Sequence, residues 1–143
     1  MDVNGSVRAL VAAWGPTEYT GVDRVPGPGV DRLCPVERLV AEFGRETFDL
    51  VISTEMLEHV RDWRTAVSQM KAVLAPGGML LLTTRAPGFP YHGYPEDFWR
   101  FEPEDLRRVF ADFEQIHLEP DPSEPGIFLT ARKPLTPTDR AIE

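Results

Sequence analysis

The sequence predicts one α/β domain: a doubly wound, Rossmann-like sheet, mostly parallel, closed by a C-terminal antiparallel hairpin. Three observations carry that reading. Residues 48–52 (FDLVI) and 79–82 (MLLL) are short apolar runs, as strands buried on both faces should be. Between them Trp63, Ala66, Val67, Met70, Val73 and Leu74 fall on one face of a 3.6-residue period, which predicts a helix starting after Val60 and stopped by Pro76-Gly77-Gly78. Strand, helix and strand in that order form a right-handed βαβ unit. Finally, residues 113–118 alternate apolar and polar and pair with residues 127–131 across the Pro/Gly/Ser linker at 120–126.

The remaining elements follow in chain order. Asn4-Gly5-Ser6 is a turn into a helix over residues 7–14, with Ser6 as a candidate N-cap and Gly15-Pro16 as its stop. Residues 18–23 are a short strand ending in Asp23, and residues 25–29 (VPGPG) form a rigid loop. Residues 30–34 are a second short strand, and residues 35–43 a short helix with Pro35 in its first turn. After the central unit comes a loop-rich stretch, then helices over 95–101 and 103–110, the second opened by Glu102-Pro103-Glu104-Asp105. The domain is expected over 1–133, with a polar tail at 134–143.

Composition narrows the function. The chain of 143 residues has a formal charge of −8, which argues against a nucleic-acid footprint of clustered Lys and Arg. No apolar run reaches membrane-spanning length, and the N-terminus lacks the regions of a signal peptide. The one cysteine, Cys34, has no internal partner and fits a reducing compartment, so the expected setting is cytoplasmic, with no membrane or nucleic-acid partner.

Ligands of open α/β sheets lie beyond the carboxyl ends of the strands. That places chemistry at Ser53, Thr54, Glu55, Glu58 and His59, directly after the 48–52 strand. His59 serves either as a base or as a hydrogen-bonding anchor of its loop; Glu55 and Glu58 either meet a ligand or cap the next helix, with Glu55 nearer the strand end. A zinc motif on this segment lacks its first histidine, and with three His and one Cys in the chain no metal site is expected. The second candidate follows the 79–82 strand: His92, Tyr94, Asp97, Trp99 and Arg100 suit a pocket that stacks and orients a polar substrate. The alternative there is a helix that buries Phe98, Trp99 and Phe101 while Asp97 and Arg100 pair locally.

Four landmarks in order give the chain a family resemblance. Tyr19-Thr20-Gly21-Val22-Asp23, the stretch 48–59 (FDLVISTEMLEH), the L-x-P-G-G-x-L stretch from Leu74 to Leu80 and the final hairpin resemble class I S-adenosylmethionine-dependent methyltransferases of the small methyltransferase-domain group. The resemblance implies S-adenosylmethionine as cofactor and methyl transfer to a small-molecule oxygen or nitrogen. It implies cofactor contacts from Asn4, Gly5, Asp23, Arg24, Glu37, Ser53, Thr54, Glu55 and Met56, with Asp23 gripping the ribose hydroxyls. His59 and His92 are its candidate catalytic groups, and Tyr94, Asp97, Trp99 and Arg100 its substrate contacts.

Two departures stand beside it. Met1-Asp2-Val3-Asn4-Gly5-Ser6 resembles only the tail of the family's glycine-rich turn, and the central strand that precedes that turn is missing or replaced. Its loss leaves rows of backbone donors and acceptors open, so either the sequence is a truncated reading, or the sheet rearranges, or another chain, such as the partner of a homodimer, fills the gap. Pro35 also stands near the position where related sequences carry an acid for the adenine amino group, with Glu37 as the substitute. A catalytically silent domain that acts as a binding module is the alternative function. A dehydrogenase-type Rossmann domain is disfavoured because no G-x-G-x-x-G follows a first strand.

Overall fold

Leu80, Leu82 and Thr84 share one face of a strand, and the period-2 alternation buries all three while their neighbours stay half-covered. That strand, β4, organises the domain. In the computed structural model, which describes residues 6–93 and 95–136, the elements run α1 (Arg8–Ala12), β1 (Val22–Asp23), β2 (Arg32–Leu33), α2 (Leu39–Phe43), β3 (Phe48–Thr54), α3 (Trp63–Val73), β4 (Leu74–Arg85), α4 (Pro103–Val109), β5 (Glu114–Pro120) and β6 (Gly126–Arg132). A four-stranded sheet has the order β3-β4-β6-β5, and β1 and β2 form a separate two-stranded sheet. β3 is parallel to β4 and β1 to β2, whereas β4–β6 and β6–β5 are antiparallel. The βαβ unit and the closing hairpin are therefore as the sequence predicts.

α3 begins where Asp62 accepts hydrogen bonds from the Thr65 N–H at 3.1 Å and the Thr65 hydroxyl at 2.7 Å, an N-cap that fixes its first turn. It buries Ala66, Val67, Met70 and Val73. At its far end the Lys133 ammonium donates to the carbonyls of Lys71 and Leu74 at 2.8 and 2.7 Å, groups that a helix end leaves without intrahelical partners. The core continues through Leu57, Leu129, Ala131, Phe101, Leu106, Phe110 and Phe113. Lys71 crosses to the other side of this core, donating to the Val109 carbonyl at 2.6 Å and to Asp112 at 2.7 Å. Lys71→Met should lower stability by about 2 kcal/mol, because the half-buried Asp112 carboxylate and the Val109 carbonyl both lose their donor; a urea melt measures it.

Several boundaries differ from the sequence reading. Residues 95–101 are not helical: the N–H groups of Phe98 and Trp99 donate to the Glu58 carbonyl, at 2.8 and 3.2 Å, instead of to the preceding turn. Only Val22–Asp23 and Arg32–Leu33 of the two early strands pair, and Pro35 caps a 3-10 turn, Val36–Arg38, ahead of α2. α1 takes Val7 as its N-cap, with no side-chain cap; the Ser6 hydroxyl accepts from the Arg8 N–H at 3.2 Å. β4 starts at Leu74 rather than Met79. Pro76-Gly77-Gly78 lies inside the strand as an irregularity, because the pairing jumps from Phe48↔Leu74 to Leu50↔Met79. β3 was expected to be buried on both faces, yet only Ser53 is; among the described residues β3 pairs on one side alone, with β4, and Leu50, Val51 and Ile52 are half-covered. Among the described residues no strand links β1 to β3. Residues 137–143 of the expected tail lie outside the described residues.

Candidate functional site

Beyond the carboxyl ends of β3 and β4, two segments that are distant in sequence close over one another. Residues 55–60 leave β3 through Glu55, whose φ of 51° lies in the left-handed region that costs a non-glycine residue roughly 1–2 kcal/mol. Three contacts hold it there. The Glu55 N–H donates to the Thr83 carbonyl at 3.0 Å, its Oε1 accepts from the Thr83 hydroxyl at 3.2 Å, and its Oε2 pairs with the Arg85 Nε at 2.8 Å. Arg85 also pairs with Asp121 at 3.1 Å and stacks on the Phe89 ring, so the exit of β4 is tied to the hairpin turn.

The second segment, residues 86–101, is wrapped around Arg100. Its guanidinium makes a bidentate pair with Asp97, at 2.5 and 2.6 Å, and donates to the carbonyls of Phe89, Pro90 and Trp99. The Asp97 carboxyl is held at about 2, first because Arg100 hydrogen-bonds its charged form. Its Oδ2 also accepts the His92 N–H at 2.9 Å. This segment locks onto the first through the Glu58 carbonyl and through the Trp99 indole N–H, which donates to the Val60 carbonyl at 2.9 Å. The local Asp97–Arg100 pair is thus present without the helix that was its expected frame, and Phe101 is buried in the core.

The closure brings His59 and His92 together, with ring centroids 4.6 Å apart. Beneath them lies Glu58, fully buried. The Thr84 hydroxyl donates to its Oε2 at 2.9 Å, while Oε1 faces the Nε2 atoms of His59 and His92 at 3.9 and 3.7 Å. Burial, above all, pushes the Glu58 carboxyl up to about 8, and burial also lowers the His92 imidazole below its ordinary value. His59 Nδ1 sits 2.7 Å from the Glu96 carbonyl, which can only accept, so Nδ1 carries the hydrogen and Nε2 presents its lone pair.

The other expected contacts lie apart from this cluster. Asp23 stands at the end of β1, half-buried, with Oδ1 accepting the Val25 N–H at 3.1 Å. Arg24 and Glu37 are exposed. Ser53 is buried with no hydrogen-bond partner for its hydroxyl among the described residues, Thr54 is exposed, and Met56 packs against the core. A cavity of about 350 Å³ opens at the end of β2, lined by Leu33, Cys34, Pro35 and Arg38. Asn4, Gly5 and Tyr94 lie outside the described residues. The sequence reading ranked Glu55 above Glu58 and passed over Thr84 and Arg85. A fully buried acid inside a 3-10 turn leaves no mark in local sequence, because its burial is made by β4 and residues 96–99.

An acid at the tip of an early strand, a polar corner after β3, a crossover helix and an antiparallel closing hairpin together define the class I S-adenosylmethionine-dependent methyltransferase fold. The chain belongs to the methyltransferase-domain family, whose model matches residues 4–118. Over 53 residues it is 45% identical to the mitochondrial ubiquinone biosynthesis O-methyltransferase of Homo sapiens, a match that covers 37% of this chain and 14% of that protein. It is 34% identical over 58 residues to the ubiquinone biosynthesis O-methyltransferase of Parvibaculum lavamentivorans, covering 41% and 22%. The match therefore spans under a quarter of either relative. Among solved structures, the fold is similar to the Burkholderia thailandensis 1,6-didemethyltoxoflavin-N1-methyltransferase bound to 1,6-didemethyltoxoflavin and S-adenosylhomocysteine, with a TM-score of 0.72, 21% identity, and 92% of this chain and 68% of that one covered. A methyltransferase from Archaeoglobus fulgidus gives 0.70 at 13% identity, covering 87% and 80%. No helix among the described residues is long and apolar enough to cross a membrane.

Proposed function

We propose that this domain binds S-adenosylmethionine and transfers its methyl group to an oxygen or nitrogen of a small-molecule acceptor. The observation that carries the reading is the meeting of His59 and His92, one from the segment after β3 and one from the segment after β4, over the carboxyl ends of two parallel strands. Transfer from a sulfonium is an in-line displacement, so the protein mainly holds donor and acceptor in line. An acceptor hydroxyl or protonated amine must also give up a proton, and the His59–His92 pair is the group placed to draw it away. Asp97, Trp99 and Arg100 shape the acceptor's side of the site. The similar proteins, ubiquinone biosynthesis O-methyltransferases and an N1-methyltransferase with 1,6-didemethyltoxoflavin bound, support a small-molecule acceptor.

On the cofactor side, Asp23 receives the ribose hydroxyls, the cavity at Cys34 and Pro35 takes the adenine with Glu37 at its margin, and Ser53, Thr54, Glu55 and Met56 border the methionine end. Calorimetry tests this directly. The chain should bind S-adenosylmethionine saturably, and Asp23→Ala should weaken it at least tenfold, since one carboxylate accepting two hydroxyls contributes on the order of 1.5–3 kcal/mol. Unchanged affinity in Asp23→Ala would remove Asp23 from the site.

The second reading, a domain that binds a partner without transferring a methyl group, is favoured by the edges of β1 and β3 that no strand pairs among the described residues. A homodimer covering those edges belongs to it. Absence of saturable cofactor binding at millimolar ligand, together with a dimer in sedimentation, would select this reading over the first.

A further inference from the structure

We propose that Glu58 Oε1, His59 Nε2 and His92 Nε2 form a binding site for one divalent first-row transition-metal cation. The three atoms lie within 4.8 Å of one another. Two of them, Glu58 Oε1 and His92 Nε2, are buried and have no hydrogen-bond partner among the described residues. Buried polar atoms without partners are rare and costly, and they call for an occupant. Glu58 Oε1 stands 3.7 and 3.9 Å from the two imidazole nitrogens, too far for a hydrogen bond to either. One cation at the centre satisfies all three donors at once.

The surroundings prepare these atoms as ligands. The Glu96 carbonyl fixes the His59 tautomer so that Nε2 offers its lone pair inward. The Thr84 hydroxyl occupies Glu58 Oε2, and Oε1 is the oxygen that faces the two imidazoles. Hydrogen bonds of this kind, donated by a ligand imidazole N–H to a carbonyl or by a hydroxyl to a ligand carboxylate, orient metal-binding side chains. The Glu58 backbone carbonyl meanwhile receives Phe98 and Trp99, so the two ligand-bearing segments are held to each other. Asp97 Oδ2 also lies 3.7 Å from His92 Nε2, but Arg100 and the His92 N–H already occupy it, so it is not a fourth ligand.

The donor set narrows the metal. Two imidazoles and one carboxylate suit Zn²⁺, Fe²⁺, Co²⁺ or Mn²⁺, whereas Mg²⁺ and Ca²⁺ take oxygen ligands. Ligand atoms about 2.1 Å from a common cation stand roughly 3–3.5 Å apart, so the cluster must contract by about 1 Å. The His92 ring, with 26% of its side chain exposed, is the least enclosed of the three ligands and the one to move. Three protein ligands leave coordination positions open, as in catalytic metal sites.

The consequence for methyl transfer rests on the function proposed above; the binding site itself does not. With the cation bound, His59 and His92 would serve as its ligands in place of the base role given them above; the cation would take the acceptor hydroxyl on an open position and ease loss of its proton to solvent. The resulting oxygen attacks the sulfonium methyl carbon; a C–O bond forms, the C–S bond breaks, and its electron pair stays on sulfur as the neutral thioether.

The test uses the chelator-treated chain titrated with Co²⁺, followed by visible absorption, and with Zn²⁺ by calorimetry. One equivalent should bind with micromolar or tighter affinity. Glu58→Gln and His92→Gln should each weaken it at least tenfold, while His117→Gln, at an exposed surface pair, should leave it unchanged. Circular dichroism confirms that each variant is folded, and His92→Gln, at the more accessible position, keeps the test decisive if Glu58→Gln does not fold. Failure to saturate below millimolar metal, or equal binding by His92→Gln, would overturn the site. S-adenosylmethionine binding measured on the same samples separates the two proposals: cofactor binding without metal binding sinks only the cation site, and metal binding without cofactor binding sinks only the methyltransferase reading.

Discussion

Replacing Asp97 with alanine is expected to destabilise the domain by about 3 kcal/mol and to open residues 86–101 to protease. Asp97 has a side chain only 1% exposed, and it balances the Arg100 guanidinium through two short hydrogen bonds. Arg100 in turn holds the carbonyls of Phe89, Pro90 and Trp99, so its position sets the path of the whole segment. Without Asp97 the guanidinium keeps those carbonyls but loses its counter-charge, and the His92 N–H loses its acceptor. Removing one partner of a largely buried ion pair costs more than the pair contributed, because the remaining charge is left uncompensated. Asp97→Asn keeps an acceptor oxygen and should cost less. Urea unfolding gives the energy, and limited proteolysis locates the opening. A midpoint equal to wild type, with residues 86–101 still protected, would refute this account of the segment.

The same segment shows why part of the site was hidden in the sequence. His59 and His92 were both legible as chemistry-bearing residues, since each follows a readable strand. They read as belonging to two separate candidate sites because only the β3–β4 pairing and the hydrogen bonds from Phe98 and Trp99 to Glu58 bring them together. Those bonds also explain the missed conformation of residues 95–101: the N–H groups that a helix would use are taken by another loop. Propensity is a weak guide where a tertiary acceptor competes for the backbone.

Glu58 was harder still. In sequence it reads either as a ligand contact or as a cap for the next helix, yet Leu57 and Glu58 are both fully buried. What buries it is Thr84 from β4 and the strap of residues 96–99, neither of which is local. β3 illustrates the opposite case. Its apolar composition correctly marks a strand but predicts two covered faces, whereas only Ser53 is buried and β4 is its one neighbour among the described residues. The composition records a demand for partners that the described residues meet only on the β4 side, and the open β1 edge repeats it.

Gly78→Val should be at least as damaging as Asp97→Ala, costing about 3 kcal/mol or more, by a route that starts from the L-x-P-G-G-x-L stretch. A Cβ at Gly78 would stand 2.6 Å from Leu74 Cδ1, 2.8 Å from the Ala75 carbonyl oxygen and 2.9 Å from the Asp49 carbonyl oxygen. Two of those neighbours are backbone atoms, which cannot yield without moving β3 or the irregular start of β4. That irregularity sets the register in which Leu50 pairs with Met79 and Thr54 with Thr83. Shifting it moves Thr83, and Thr83 holds Glu55 in its left-handed conformation at the entrance to the site. The substitution should therefore lower the denaturation midpoint and, in whatever fraction stays folded, weaken S-adenosylmethionine binding although Gly78 lies at the far end of the strand from the cluster. Gly77→Ala makes the comparison informative: Gly77 has a φ of 80° and meets only the end of the Leu135 side chain, at 3.2 Å. It should cost less and leave cofactor affinity near wild type. Equal losses in both variants would place the effect in backbone strain of the turn rather than in the β3–β4 register.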